Sequence, residues 1–149
     1  MRLTPGAGGA WTETVLGAGG IGPSLTIASD GAWHLAYKTG DSLRYRVDAA
    51  EETVDDGATA DGLHKVGDDA VLRLDDGVPT IYYADATSLT LRRAVKTNGA
   101  WNATDVAAPE RWTAFPQFVP GEDAGTVAAW WRASARATTT ATGGVTVLP

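Results

Sequence analysis

Between Val71 and Arg93 the sequence passes twice from a run of strand-forming residues into a polar turn and back. Val71–Leu74 is rich in residues that suit a pleated strand, and Asp75-Asp76-Gly77 follows as a turn in which glycine takes a positive φ and aspartate tolerates or caps the bend. Thr80–Tyr83 is β-branched and aromatic, hence strand-like, and Asp85–Ser88 is a second polar turn. In Leu89–Arg93, Leu89, Leu91 and Arg93 alternate with Thr90 and Arg92, the period-two pattern of a strand. Together these runs predict a meander of three antiparallel strands.

The same pattern recurs. Moved back by 46 positions, Asp76-Gly77 falls on Asp30-Gly31, Tyr83 on Tyr37, Ser88-Leu89 on Ser42-Leu43 and Arg92 on Arg46. Moved forward by 47, Asp76 falls on Asp123 and Tyr83 on Trp130, with Ala124 in place of the turn glycine. A fourth strand is marked by Gly-Ala-Trp at 9–11 and 99–101 and by Glu-Thr-Val at 13–15 and 52–54. The expected units are 23–54, 69–106 and 116–148, with a first strand near 24–28, 70–74 and 116–119. The second lies near 33–38, 79–84 and 126–131, the third near 42–47, 88–94 and 136–141. The fourth covers 51–54 and 101–106, with Val145–Leu148 as its last copy and 11–16 as an orphan strand at the N-terminus. Arg2 falls on Arg92 when Trp11 is set on Trp101, so the chain is expected to begin inside a third-type strand. Several short strands repeating every forty-odd residues are the signature of a β-propeller blade, with a two-sheet β-sandwich as the alternative all-β architecture.

Composition narrows the partners more than the fold. A chain of 149 residues with 44% hydrophobic content has room for one domain. A net charge of −6 argues against binding to nucleic acid through a basic surface. Without cysteine there is no disulfide framework or thiol chemistry, and two histidines, His34 and His64, do not make a histidine-rich metal site. No apolar run reaches the ~20 residues of a membrane helix. The start, MRLTPGAGG, lacks the apolar core of a signal peptide, so none is expected in this chain and the compartment is left open.

The run PSLTIASDGAWHLAYKTGDSLRYR, from Pro23 to Arg46, resembles a bacterial β-propeller repeat distantly akin to sialidase-type and lectin-type propellers. The likeness is best over 23–47, fair over 69–106 and poor over 116–148. It implies four-stranded blades whose first strand lines a central channel. Sialidase-like enzymes of that kind carry S-x-D-x-G-x-x-W boxes, an arginine cluster and a nucleophilic tyrosine. Ser29-Asp30-Gly31-Ala32-Trp33 has the wrong spacing for that box, so the resemblance implies the fold and not the enzyme.

The candidate binding residues are aromatic and basic. Tyr37, Tyr83 and Trp130 share one register and could stack on sugar rings, but a large residue is also what face-to-face sheets need there, and packing is the favoured reading. Tyr82 and Trp131 are their neighbours and are not repeated in the first copy, which makes them the better ligand candidates, together with Arg132. Arg44 and Arg46, with Arg92 and Arg132, could grip a carboxylate or sulfate, though alternating arginines on a sheet face more often pair with acids. Asp30, Asp76 and Asp123 could serve Ca2+, yet turn chemistry explains them better, so no cofactor is expected. Asp55, Asp56 and Asp61 read as solvated loop charge, and His34 as a satisfied strand histidine. No G-x-S-x-G, P-loop or dinucleotide fingerprint is present.

Two functions follow. The first is a non-enzymatic binding or assembly module that recognises a glycan or a protein surface through propeller loops. The second is the non-catalytic part of a glycan-active hydrolase, or a cleaved or hetero-complex propeller subunit. Three blades do not close a ring, so a partner is expected, either another copy of the chain or a companion propeller segment. The expected core comprises Leu25, Ile27, Leu35, Tyr37, Leu43, Val71, Ile81, Tyr83, Leu89, Phe118 and Trp130.

Overall fold

Asp76 and Gly77 both take positive φ, 51° and 80°, and turn the chain so that Asp75 pairs with Val78. Asn98 and Gly99 (φ 52° and 81°) do the same between Thr97 and Ala100. These are the backbone signs of the type I′ turn, whose twist matches that of the strands it joins. The Asp-Gly pair of the first copy acts differently. Asp30-Gly31 lies in a five-residue loop, residues 28–32, where Ala28 N–H donates to Ala32 O and Ala32 N–H donates to the Asp30 carboxylate. One dipeptide thus serves two turn geometries, and the neighbouring residues decide which.

The computed structural model describes residues 2–15, 19–106, 114–120, 126–133 and 141–148, with side chains described over 3–15 and 19–106. The protein is all-β, apart from a short 3-10 turn at Ala7–Gly9. A hairpin of β1 (Arg2–Pro5) and β2 (Trp11–Thr14) comes first, so the strand expected alone at 11–16 is paired with β1. Two four-stranded antiparallel meanders follow. Sheet one is β3 (Ile21–Ile27), β4 (Trp33–Thr39), β5 (Ser42–Val47) and β6 (Ala50–Asp55). A small hairpin, β7 (Ala58–Thr59) and β8 (Gly62–Leu63), leads to sheet two. Sheet two is β9 (Val66–Asp75), β10 (Val78–Asp85), β11 (Thr90–Thr97) and β12 (Ala100–Asp105). A three-stranded sheet of β13 (Ala114–Pro120), β14 (Thr126–Ala133) and β15 (Ala141–Leu148) ends the series. None of the sheets closes on itself. Residues 136–140 of the expected third strand lie outside the described residues. Val145–Leu148 is not a separate fourth strand, because it belongs to β15 and pairs directly with β14.

Sheets one and two stack face to face, with β9 lying against β3, β4 and β5. Their shared core holds Ala36, Leu43, Tyr45, Val54, Val66, Ala70, Leu72, Ile81, Tyr83 and Ala94. Close approach requires Gly67 (φ 90°), where an added Cβ would stand 3.0 Å from the Leu43 Cβ. At the first strands, Thr26 Oγ1 donates to Leu72 O (3.1 Å), and Leu72 N–H donates to Ser24 Oγ (2.9 Å). Small polar side chains thus satisfy backbone groups between the sheets.

Aligning the two sheets by cross-strand pairing corrects the sequence register. Leu25 pairs with Leu35 as Leu72 pairs with Ile81, giving offsets of 47 for the first strand and 46 for the second. The Tyr37–Arg44 pair matches Tyr83–Arg92, so the third strand is offset by 48 and Arg92 corresponds to Arg44, not Arg46. The extra residues sit in the turn between Asp85 and Thr90, where Leu89 takes φ 59°.

The expected core is met only in part. Leu43, Ile81 and Tyr83 are buried, while Leu35, Tyr37, Val71 and Leu89 are half-buried. Leu25 and Ile27 are 60% and 66% exposed, contrary to expectation. They point to the face of sheet one opposite sheet two, which no described element covers. Phe118 and Trp130 lie where side chains are not described. Among the described residues, no helix is long and apolar enough to cross a membrane.

Candidate functional site

The contact between sheets one and two sets the standard for reading the rest of the surface. At its outer end two of the three acids of β6 reach across to sheet two. Asp55 accepts from the Tyr83 hydroxyl (2.5 Å) and from Arg92 Nη1 (2.6 Å). Glu52 accepts from Lys96 Nζ (2.6 Å) and from the Trp101 indole N–H (3.0 Å). Those partners hold the Glu52 carboxyl below its ordinary pKa, the Lys96 hydrogen bond being the largest cause. Trp101 meets Tyr45 edge to face at 4.9 Å, and the Lys96 ammonium lies 5.7 Å from the Tyr45 ring centre. Burial, reinforced by Glu52, pushes the Tyr45 hydroxyl up to about 12. Deeper in, Lys38 Nζ meets Asp68 at 2.6 Å with its side chain 10% exposed. The contact is thus apolar at the centre, with ion pairs that fix its register.

The opposite face of sheet one repeats the composition of the sheet-two face just described. By pairing, Leu25, Leu35, Tyr37 and Arg44 stand where sheet two has Leu72, Ile81, Tyr83 and Arg92. The sheet-two set is covered by sheet one. In the sheet-one set, Leu25 is open to solvent, with Ile27 beside it on the same face. The Tyr–Arg pair also has a different acid. The Tyr37 hydroxyl donates to Glu51, and Arg44 Nη2 meets the same carboxylate at 2.8 Å, but Glu51 belongs to sheet one's own fourth strand. These partners hold Glu51 below the usual carboxylate range, the Tyr37 hydrogen bond being the largest cause. Arg46 stacks 5.9 Å from the Trp33 ring centre on the same face.

The candidate residues therefore separate. Tyr37, Arg44 and Arg46 gather on the outer face of sheet one. Tyr83 is fully buried between the sheets with Arg92 over its ring, and Tyr82, 3% exposed, is buried in sheet two. Trp130 and Trp131 are opposite Gly144 and Gly143 in the β14–β15 pairing, and Arg132 is opposite Thr142. Asp55 is not solvated loop charge, since its side chain is 9% exposed and bridges Tyr83 and Arg92. His34 Nδ1 lies 2.5 Å from the Tyr45 hydroxyl, a satisfied strand histidine. Glu51, Glu52 and Asp55 were missed as a group. The sequence signal that could have found them is an acid-rich fourth strand following a Tyr/Arg-bearing pair.

A second polar cluster joins the β7–β8 hairpin to the turn after β10. His64 Nδ1–H donates to Asp85 Oδ2 (2.6 Å), and His64 Nε2 lies 3.3 Å from the exposed Asp61. Asp85 Oδ1 also accepts from the Thr87 and Ser88 N–H groups. Burial alone would raise the Asp85 carboxyl, but His64 and those N–H groups outweigh it and hold it low. The Asp85 hydrogen bond raises the His64 pKa, with Asp61 adding to it. Among the described residues no group of three or more such side chains is arranged to hold a metal ion.

The sign of the His64 shift fixes a pH dependence. A histidine whose pKa is higher folded than unfolded contributes stability that is full below its unfolded value of about 6.5 and is lost as pH rises through the folded value. Amide exchange across residues 57–65 is therefore expected to be slower at pH 6 than at pH 8, after correction for intrinsic rates. In His64→Gln that difference is expected to vanish. Equal protection of the wild type at both pH values would mean that the charge on His64 does not clamp the hairpin.

The chain matches no protein-family model, and no curated protein matches it.

Proposed function

We propose that this chain is a non-enzymatic assembly module built of β-propeller-type blades, and that its working surface is the outer face of sheet one, which docks a protein. The observation that carries this reading is the duplicated face. The same arrangement of aliphatic, tyrosine and arginine side chains is covered by a packed sheet in one copy and holds Leu25 and Ile27 open to solvent in the other. Exposed aliphatic side chains in a row, rimmed by Tyr37, Arg44 and Glu51, have the composition of a protein interface with an apolar centre and a charged rim. The burial of Tyr82 and Tyr83 favours a protein ligand over stacked sugar rings. Four-stranded meanders stacked face to face around a shared core, repeating at an offset near 46, support the blade assignment.

A photo-crosslinking amino acid at position 27, compared with one at Leu63 on the exposed β7–β8 hairpin, tests the surface. Protein adducts in cell extract from position 27 alone are expected, with no retention on a glycan array and no turnover of fluorogenic glycosides. Glycan retention or turnover without protein adducts at position 27 would replace the reading with a carbohydrate-directed one.

A further inference from the structure

The first hairpin of the chain has the surface that fits this face. We infer that the outer face of sheet one seats the β1–β2 hairpin of a second copy of this chain, and that the two copies exchange hairpins reciprocally. The inference rests on the docking reading above and names its partner. Cross-strand pairing sets Leu3 opposite Glu13 and Pro5 opposite Trp11, so these four lie on one face of the hairpin, with Val15 next in line. Thr4 and Thr12, also opposite one another, lie on the other face. One face is thus apolar around a single acid. In the single chain every residue from 3 to 15 is exposed, Trp11 by 64%. A two-stranded hairpin with its apolar face in water is marginal and is stabilised by a surface to pack on.

The contact between sheets one and two shows what such a face covers. Glu13-Thr14-Val15 recurs as Glu52-Thr53-Val54 in β6, and Glu52 pairs with Tyr45 as Glu13 pairs with Leu3. In sheet one that set is laid on sheet two, where Tyr45 and Val54 enter the shared core and Glu52 takes Lys96 and Trp101. The surface covered there is the counterpart of the open face of sheet one. The hairpin therefore carries the half that the Leu25 face lacks. Charge agrees, because β5 presents Arg44 and Arg46 on that face, and among the described residues Glu13 has no ion pair. The path of the chain agrees as well. An added Cβ on Gly20 would stand 2.7 Å from the Tyr37 ring, so the segment that follows the hairpin enters β3 across the outer face. Exposed Leu25 shows that a chain does not cover its own face, and two copies that exchange hairpins about a two-fold axis bury both faces in a closed dimer.

Sedimentation velocity on the full chain, from about 1 to 100 µM, tests the association. The wild type is expected to pass from 15.5 kDa to twice that mass as concentration rises. Glu13→Lys sets like charges against Arg44 and Arg46 and is expected to weaken association at least about tenfold. Trp11→Ser is expected to weaken it as much, and both variants keep the circular dichroism of the wild type because both side chains are exposed in the single chain. A photo-crosslinking residue at position 27, in an equal mixture of unlabelled and isotope-labelled chains, is expected to give adducts between the two that map to residues 3–15. A wild type that stays at 15.5 kDa throughout overturns the inference. So does an assembly that neither variant weakens, or adducts that stay within one chain or fall outside the hairpin. Crosslinking to other proteins from position 27 in a chain that does not self-associate overturns the second-copy inference and leaves the docking surface standing. The absence of any adduct from position 27 overturns both.

Discussion

Replacing Asp55 by alanine is expected to lower the stability of the folded chain by about 3–5 kcal/mol, the cost of stripping one partner from a buried ion pair. The carboxylate is 9% exposed and the Arg92 side chain 17%, so water does little to replace the lost contact. Two donors are stranded together, because the Tyr83 hydroxyl, held above its ordinary pKa by burial and by Asp55, ends on the same oxygen as Arg92. Arg92 retains Asp105, which is largely exposed and cannot reach into the space between the sheets. Urea unfolding of Asp55→Ala, Arg92→Ala and the double variant measures the coupling. Single variants that lose less than ~1 kcal/mol would show the pair to be screened like a surface bridge.

Ile81→Ala is the second large effect, expected at about 2–5 kcal/mol. Ile81 is fully buried in the middle of β10, facing sheet one, and the stiff sheets around it cannot collapse into the space left by its branched side chain. Leu25→Ala provides the contrast. It removes an aliphatic side chain from a strand of the neighbouring sheet, yet at 60% exposure the expected change in the single chain is within about 0.5 kcal/mol. Comparable losses in the two variants, measured by denaturant midpoint at low concentration, would mean that the Leu25 face is already covered.

The strands themselves were legible because their signals are local. Asp75-Asp76-Gly77 announces its own turn, Thr80–Tyr83 lies inside β10, whose ends are within two residues of it, and Leu89–Arg93 marks the start of β11, which runs on to Thr97. Registers were less legible. A sequence offset counts residues, whereas pairing counts rungs of the ladder. The longer turn between Asp85 and Thr90 shifts the third strand by two residues without changing which side chains look apolar. Burial failed at Leu25 and Ile27 for another reason, since a period-two pattern says which residues share a face and not whether a neighbour covers it. The acids were hardest to read. Asp55 sits at the start of the polar run 55–61 and looks like its neighbours, and only the stacking of two sheets brings it under Arg92.

The shared core of sheets one and two separates two quantities that a repeat protein invites one to equate. The length over which the sequence pattern recurs is one sheet. Yet the core is assembled from Ala36, Leu43, Tyr45 and Val54 on one side and Leu72, Ile81, Tyr83 and Ala94 on the other, so neither sheet keeps a dry interior when alone. The unit of pattern is therefore smaller than the unit of cooperativity. Neither four-stranded sheet is a folding unit by itself, and the stacked pair is the smallest piece that closes a core.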